Sequence, residues 1–263
     1  MPVHDWSRVI CGYFHDFHQN WSVVIANALN EGLLPDRLYA LVERPPPWFG
    51  RADGRGGINE LLRPSVDQPR CRFEAASGPH VRTNRPTADV IQRPKLTDAG
   101  DYARRANVIT VRRASDDTPV ATLRIISPGH KDRESSVARF CEQTGRMIAS
   151  GLHVSVVDIL RPTPSAAEGM HAEIWRRCYR DEGPALMSQD RPVLTVAYNV
   201  TNDVGEMVPE AFVTTSELGQ PLPDLPLFLE EDRYVPVPLA ATYARTWEAT
   251  PRQVRDHVLR SVA

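Results

Sequence analysis

The stretch Thr122-Leu-Arg124-Ile-Ile-Ser127-Pro128-Gly-His130-Lys131-Asp-Arg133, followed by Val154-Ser-Val-Val-Asp158-Ile-Leu160, decides the fold. Val120 to Ile126 has strand length and composition. Ser127-Pro128 ends it, because proline has no amide hydrogen to continue a ladder. Ser135 to Ala149 predicts a helix with Val137, Phe140, Cys141, Thr144, Met147 and Ile148 on its apolar side, and Gly151 closes it. Val154 to Leu160 is almost continuously apolar, the pattern of a central strand covered on both faces. Strand, helix and strand in this order predict an α/β fold with a central mixed sheet and flanking helices.

Working outward, Val108 to Val111 reads as a strand, and the polar turn Ser115-Asp-Asp-Thr118 folds it back onto Val120–Ile126 as a hairpin. Pro192 to Asn199 and Phe212 to Thr215 add strands, and the Val193–Tyr198 part of the first joins the central sheet. Towards the amino terminus, Phe14, Phe17, Trp21, Val24 and Ala28 recur at helical spacing, widened by Ile25 and Leu29. Gly32 is placed to stop that helix in the left-handed conformation. The helix is expected to pack on the sheet through Phe17 and Trp21. Leu38 to Glu43 is a short strand that stops at Pro45-Pro46-Pro47. Residues 45 to 100 are rich in Pro, Gly and Arg, with apolar pieces only at Leu61-Leu62 and Val90-Ile91, and read as a long irregular insertion. Leu239 to Glu248 and a terminal helix running to Val262, broken at Pro251, are expected to close the other end. The 263 residues are expected to form a single domain.

Composition excludes more than it selects. A net charge of -2 gives no bulk attraction to nucleic acid or to anionic lipid, so neither partner is supported. Only Lys95 and Lys131 are lysines, the other cationic residues being arginines, which bind carboxylate and phosphate bidentately. Cys11, Cys71, Cys141 and Cys178 form no Cys-x-x-Cys pair and read as reduced thiols. The opening Met1-Pro-Val-His-Asp-Trp6 has no basic segment leading into an apolar one, and no run is long enough to cross a bilayer. A cytoplasmic protein is the expectation.

Chemistry-bearing residues are scattered. His15 and His18 lie three apart on the first helix, and with Trp21, His4 and Asp5 they offer a polar pocket, but no His-Glu-x-x-His spacing makes them a zinc site. His171 stands near Glu173, where an imidazole beside a carboxylate suits a general base, yet no nucleophile-like Ser or Cys accompanies it. Ser127 precedes proline and lacks the glycine-flanked elbow of a hydrolase. Lys131 follows the Ser-Pro turn at a helix start and could hold an anion there. Arg51 to Gly57 is glycine-rich, but no Gly-Lys-Ser/Thr follows it. Ligand-contacting candidates are therefore His15, His18, Trp21 and His171, with no metal site assigned.

Several blocks resemble a bacterial family, domain of unknown function 4058. They are His4-Asp5-Trp6, Phe14-His15-Asp16-Phe17-His18 with Trp21, and Gly32-Leu-Leu-Pro35. Ser127-Pro-Gly-His-Lys-Asp-Arg133 and Gly169-Met-His-Ala-Glu-Ile-Trp175 continue the resemblance, followed by Pro221 to Leu229 and Asp232 to Leu239. They run in order along almost the whole chain, outside residues 45 to 100. The family carries no established activity, so the resemblance implies a fold more than a function.

A looser similarity joins the strand, Ser-Pro turn, helix and strand to the core of restriction-endonuclease-like proteins. Such a core holds a divalent cation through an Asp and a Glu and orients water with a Lys. This resemblance places Glu where the chain has Arg124, and the Lys near Gln143. For the first Asp it leaves Asn59, Asp53 and Asp89 open. Opposite unit charges about 4 Å apart attract by roughly 4 kcal/mol at an effective dielectric near 20, and exchanging Glu for Arg turns that attraction into repulsion. The expectation is a non-catalytic ligand- or partner-binding protein on a degenerate nuclease-like scaffold, with no cofactor. The alternative is a metal-dependent phosphodiesterase using magnesium and displaced carboxylates such as Asp89 and Asp158, beside Lys131.

Overall fold

The computed structural model describes residues 1–9, 11–43, 90–92, 108–179, 186–203 and 206–261. Most of the expected insertion at 45–100 lies outside them. Helix α1 (Cys11–Ala28) is followed by a π-helical turn (Leu29–Leu33), in which Gly32 adopts φ 113° and Leu34 returns its amide to Leu29 O at 2.9 Å. Only glycine enters that left-handed conformation without steric cost, so the helix stops where the sequence predicts.

The strands are β1 (Leu38–Glu43), β2 (Val90–Gln92), β3 (Val108–Arg113), β4 (Pro119–Ile125), β5 (His153–Asp158), β6 (Val193–Asp203) and β7 (Glu206–Ser216). They form one sheet in the order β1-β3-β4-β5-β6-β7-β2. Only β4 and β5 pair in parallel, in a register that sets Arg124 beside Val156, and every other neighbour is antiparallel. A parallel pair needs a crossover. Here it is α2 (Pro128–Lys131) and α3 (Glu134–Ala149), and all six β5 residues are buried. The mixed sheet with flanking helices is the predicted architecture.

Four details differ from expectation. Val90–Gln92, read as part of an irregular excursion, is an edge strand paired with β7, too short to carry a periodic signal. β5 ends at Asp158 and not at Leu160, because the Asp158 carboxylate accepts the Leu160 amide at 3.2 Å and bends the chain. Helix α4 (Gly169–Tyr179) precedes β6 and packs on α3. A separate hairpin, β8 (Leu225–Glu230) with β9 (Arg233–Val237), covers one face of β4, β5 and β6. Its cross-strand pair Pro226–Pro236 hides it from pattern reading, since proline has no amide for a ladder.

Helix α5 (Leu239–Ala249) lies along α1, and α6 (Arg252–Ser261) touches α1 through the His257–Tyr13 ring contact at 5.4 Å. The carboxyl-terminal helices therefore join the amino-terminal one, because Tyr243 binds it. The Tyr243 ring meets Phe17 and Trp21, and its hydroxyl accepts from Trp6 Nε1 at 3.0 Å and His4 N at 3.1 Å. Arg161 holds Asp5 at 2.6 Å and Val3 bonds to Gln220 and Gly219, tying the first residues down. Phe17 thus packs against Trp6, and both Phe17 and Trp21 pack against Tyr243 of α5, while α1 meets the sheet at β1 and β3.

Candidate functional site

Alternation along β4 and β5 sends Thr122, Arg124, Val154, Val156 and Asp158 to one face, towards α3 and α4. Arg124 is 1% exposed, an extreme position for a guanidinium. Its Nη1 donates to Thr144 Oγ1 at 2.6 Å and to Phe140 O at 3.4 Å, and Nη2 donates to Gln143 Oε1 at 2.6 Å. The guanidinium carbon sits 3.9 Å from the Phe140 ring centroid, a cation–π contact worth about 2 kcal/mol or more when desolvated. Among the described residues, Arg124 pairs with no carboxylate, and neither its Nε nor the Gln143 Nε2 has a hydrogen-bond partner. An uncompensated buried charge costs on the order of 3–5 kcal/mol. Burial pulls the Arg124 pKa down to about 9, which still leaves it a cation at neutral pH.

The turn above this arginine is organised by His130. Its Nδ1 accepts from Ser127 N at 3.1 Å, and its ring meets Phe140 at 4.8 Å. Burial, with Arg124 and His18 nearby, lowers its pKa to about 3. His18 reaches the same region from α1. Its Nε2 donates to Ile125 O at 3.2 Å, its Nδ1 has no partner among the described residues, and burial lowers its pKa to about 4.

Lys131 and Asp158 are brought together, as the phosphodiesterase alternative requires, but as a closed pair. The ammonium donates to both Asp158 oxygens at 3.0 and 2.9 Å and to Leu160 O at 2.8 Å, and both side chains are fully buried. All three ammonium hydrogens are thus used, and the carboxylate also receives the Leu160 and Met170 amides. Burial raises the Asp158 pKa against the pull of Lys131 and those amides. The pair pins the Ser-Pro turn to the end of β5 and the start of α4.

The remaining candidates separate. His15 is exposed while His18 is buried, although they lie on one helix. Trp21 donates from Nε1 to Thr242 Oγ1 at 3.1 Å. His171 Nδ1 bonds the Tyr198 hydroxyl at 2.8 Å, and burial holds its pKa near 3. Glu173, the carboxylate suggested beside it, instead binds Arg176 and Arg177. Two positions apart on a helix, His171 and Glu173 do not face each other. Burial raises the Cys141 thiol and pushes Cys178 to about 12, so neither is a nucleophile at neutral pH. Asp53, Asn59 and Asp89 lie outside the described residues.

Among the described residues, no three His, Cys, Asp or Glu side chains gather as metal ligands, and no helix is long and apolar enough to cross a membrane. Pattern reading did not find the Phe140–Gln143–Thr144 cradle. Its signal was present: positions 140, 143 and 144 share a helical face, opposite the one arginine in an otherwise apolar strand end. Compared with family models, with curated proteins and with solved structures, the chain matches none.

Proposed function

We propose that the chain, which resembles the domain-of-unknown-function 4058 family, is a non-catalytic binding protein on a degenerate nuclease-like scaffold, as its looser resemblance to restriction-endonuclease-like cores suggests. One observation carries the reading: the position that resemblance assigns to a metal-binding Glu is filled by the Arg124 guanidinium, stacked on Phe140 and bonded to Gln143 and Thr144. A guanidinium repels a divalent cation, and Gln143 brings no charge to the place expected for Lys. Asp158, the candidate carboxylate among the described residues, has both oxygens engaged by Lys131. The scaffold keeps a polar centre between β4 and α3, so the retained role is recognition.

Calorimetric titration with magnesium and manganese, paired with a plasmid-nicking assay, tests this. The expected result is no saturable heat and no nicking. Magnesium binding accompanied by nicking that Asp89→Asn abolishes would overturn the reading. The double substitution Arg124→Glu with Gln143→Lys is expected to create weak magnesium affinity. No gain counts against the nuclease-like alignment.

A further inference from the structure

We propose that Arg124 and Gln143 form a binding site for a small monovalent anion, enclosed between β4 and α3. This deepens the reading above and rests on it for the role of the site, though not for its chemistry. The donors outnumber the acceptors there. Arg124 and Gln143 are buried and joined by the Nη2–Oε1 bond at 2.6 Å, so the unpartnered Nε–H of one and the unpartnered Nε2 amide of the other lie in one neighbourhood. Both groups are donors, and no carboxylate among the described residues pairs with the guanidinium. A bound water satisfies a hydrogen bond but leaves the charge uncompensated, whereas an anion answers both.

The surroundings set the size and charge of the ligand. Phe140 covers one guanidinium face at 3.9 Å and Thr144 occupies Nη1, leaving the Nε side for the ligand. Ser127 and Pro128 are half-buried and Gly129 is exposed, and the His130 ring, 4.8 Å from that of Phe140, lies near the guanidinium. Both donor atoms are out of contact with solvent, so an anion reaching them has to be small, of halide, formate or bicarbonate size. His130 and His18 face the same region and are neutral at pH 7, so they add no positive charge that would call for a divalent anion.

The test measures thermal unfolding of the full chain at constant ionic strength and pH 7.5. Sodium chloride or sodium formate replaces sodium gluconate, whose anion is too large to be enclosed. The melting temperature is expected to rise saturably, by at least about 5 °C at a hundredfold excess over the dissociation constant. Gln143→Leu removes a donor and is expected to weaken binding at least about tenfold. Gln143→Glu supplies a built-in counter-charge and is expected to abolish the anion response while keeping the fold. A stronger response to formate than to chloride marks a carboxylate headgroup and the reverse marks a halide; either supports the proposal. Identical melting in all three salts overturns it. So does a response that persists in Gln143→Glu, since that places the ion elsewhere. Neither outcome touches the nicking result, and nicking without an anion response would sink both readings separately.

Discussion

Substituting Asp158 by Asn leaves the Lys131 ammonium buried with only neutral acceptors, Leu160 O among them. The expected cost is about 3–5 kcal/mol, because the remaining charge keeps its desolvation penalty and loses its counter-charge. Replacing both partners by apolar residues, Lys131→Met with Asp158→Leu, is expected to recover most of that loss. Urea denaturation of the single and double variants measures it. A D158N protein within about 1 kcal/mol of wild type would mean the pair behaves as if exposed to water. The sequence marks Lys131 and Asp158 as notable, one a rare lysine and the other a lone acid in an apolar strand. Their mutual saturation was not legible, since Leu160 O and the Met170 amide reach them only after the chain bends beyond β5. Arg124 is the reverse case. Its misfit in a buried strand could be read directly, while its cradle needed the register between β4 and α3.

At the scale of elements, the edge of the sheet at β1 is closed by a side chain. Asn30 Nδ2 donates to Ala40 O at 2.9 Å, and its Oδ1 accepts from Ala40 N at 2.8 Å, occupying the outward groups that another strand would use. Asn30→Ala is expected to cost about 1–3 kcal/mol and to promote concentration-dependent association, read by chemical denaturation and light scattering. A variant as stable and as monodisperse as wild type removes that role. A second joint is the Tyr243 hydroxyl, which accepts from His4 N and Trp6 Nε1. Tyr243→Phe is expected to cost about 2–3 kcal/mol by stranding those donors, and to speed hydrogen exchange at Val3 to Trp6. Exchange unchanged there would detach the amino-terminal segment from α5. The long helices with one dominant period, α1 and α3, and the continuously apolar β5 were legible because burial alone writes their pattern. The β8–β9 hairpin and β2 were not, since prolines interrupt the first and the second spans only three residues.

At the scale of the whole molecule, buried histidines couple the fold to pH. His4, His18 and His153 are lowered by burial to about 4, and His130 and His171 to about 3. Two of them need the neutral ring for a bond that they accept, His153 Nδ1 from Val200 N at 3.1 Å and His130 Nδ1 from Ser127 N at 3.1 Å, while His18 donates to Ile125 O and His171 bonds Tyr198. Their folded pKa values lie below the unfolded value of 6.5, so from about pH 6.5 downward the unfolded chain takes up protons that the native state refuses. Stability is therefore full above that value and falls as pH drops towards about 4. The loss is about 1.4 kcal/mol per pH unit for each histidine, or up to roughly 7 kcal/mol per unit for the five together, less what solvent screens at the half-buried His4. Against a typical total of about 5–15 kcal/mol, that slope is enough to unfold the protein before pH 4. Asp5 adds to the trend at the acid end: burial alone would raise its carboxyl, but hydrogen bonds from Ser7 and Arg161 outweigh burial and hold it below its ordinary value. Urea denaturation at pH 7.5, 6.0 and 5.0 reads the slope, and proton uptake on unfolding near pH 5.5 should exceed about four, from five depressed histidines. A stability profile that stays flat between pH 7 and pH 5 would mean these imidazoles are open to water in solution, and that the sheet and α4 are packed less tightly than their hydrogen bonds require.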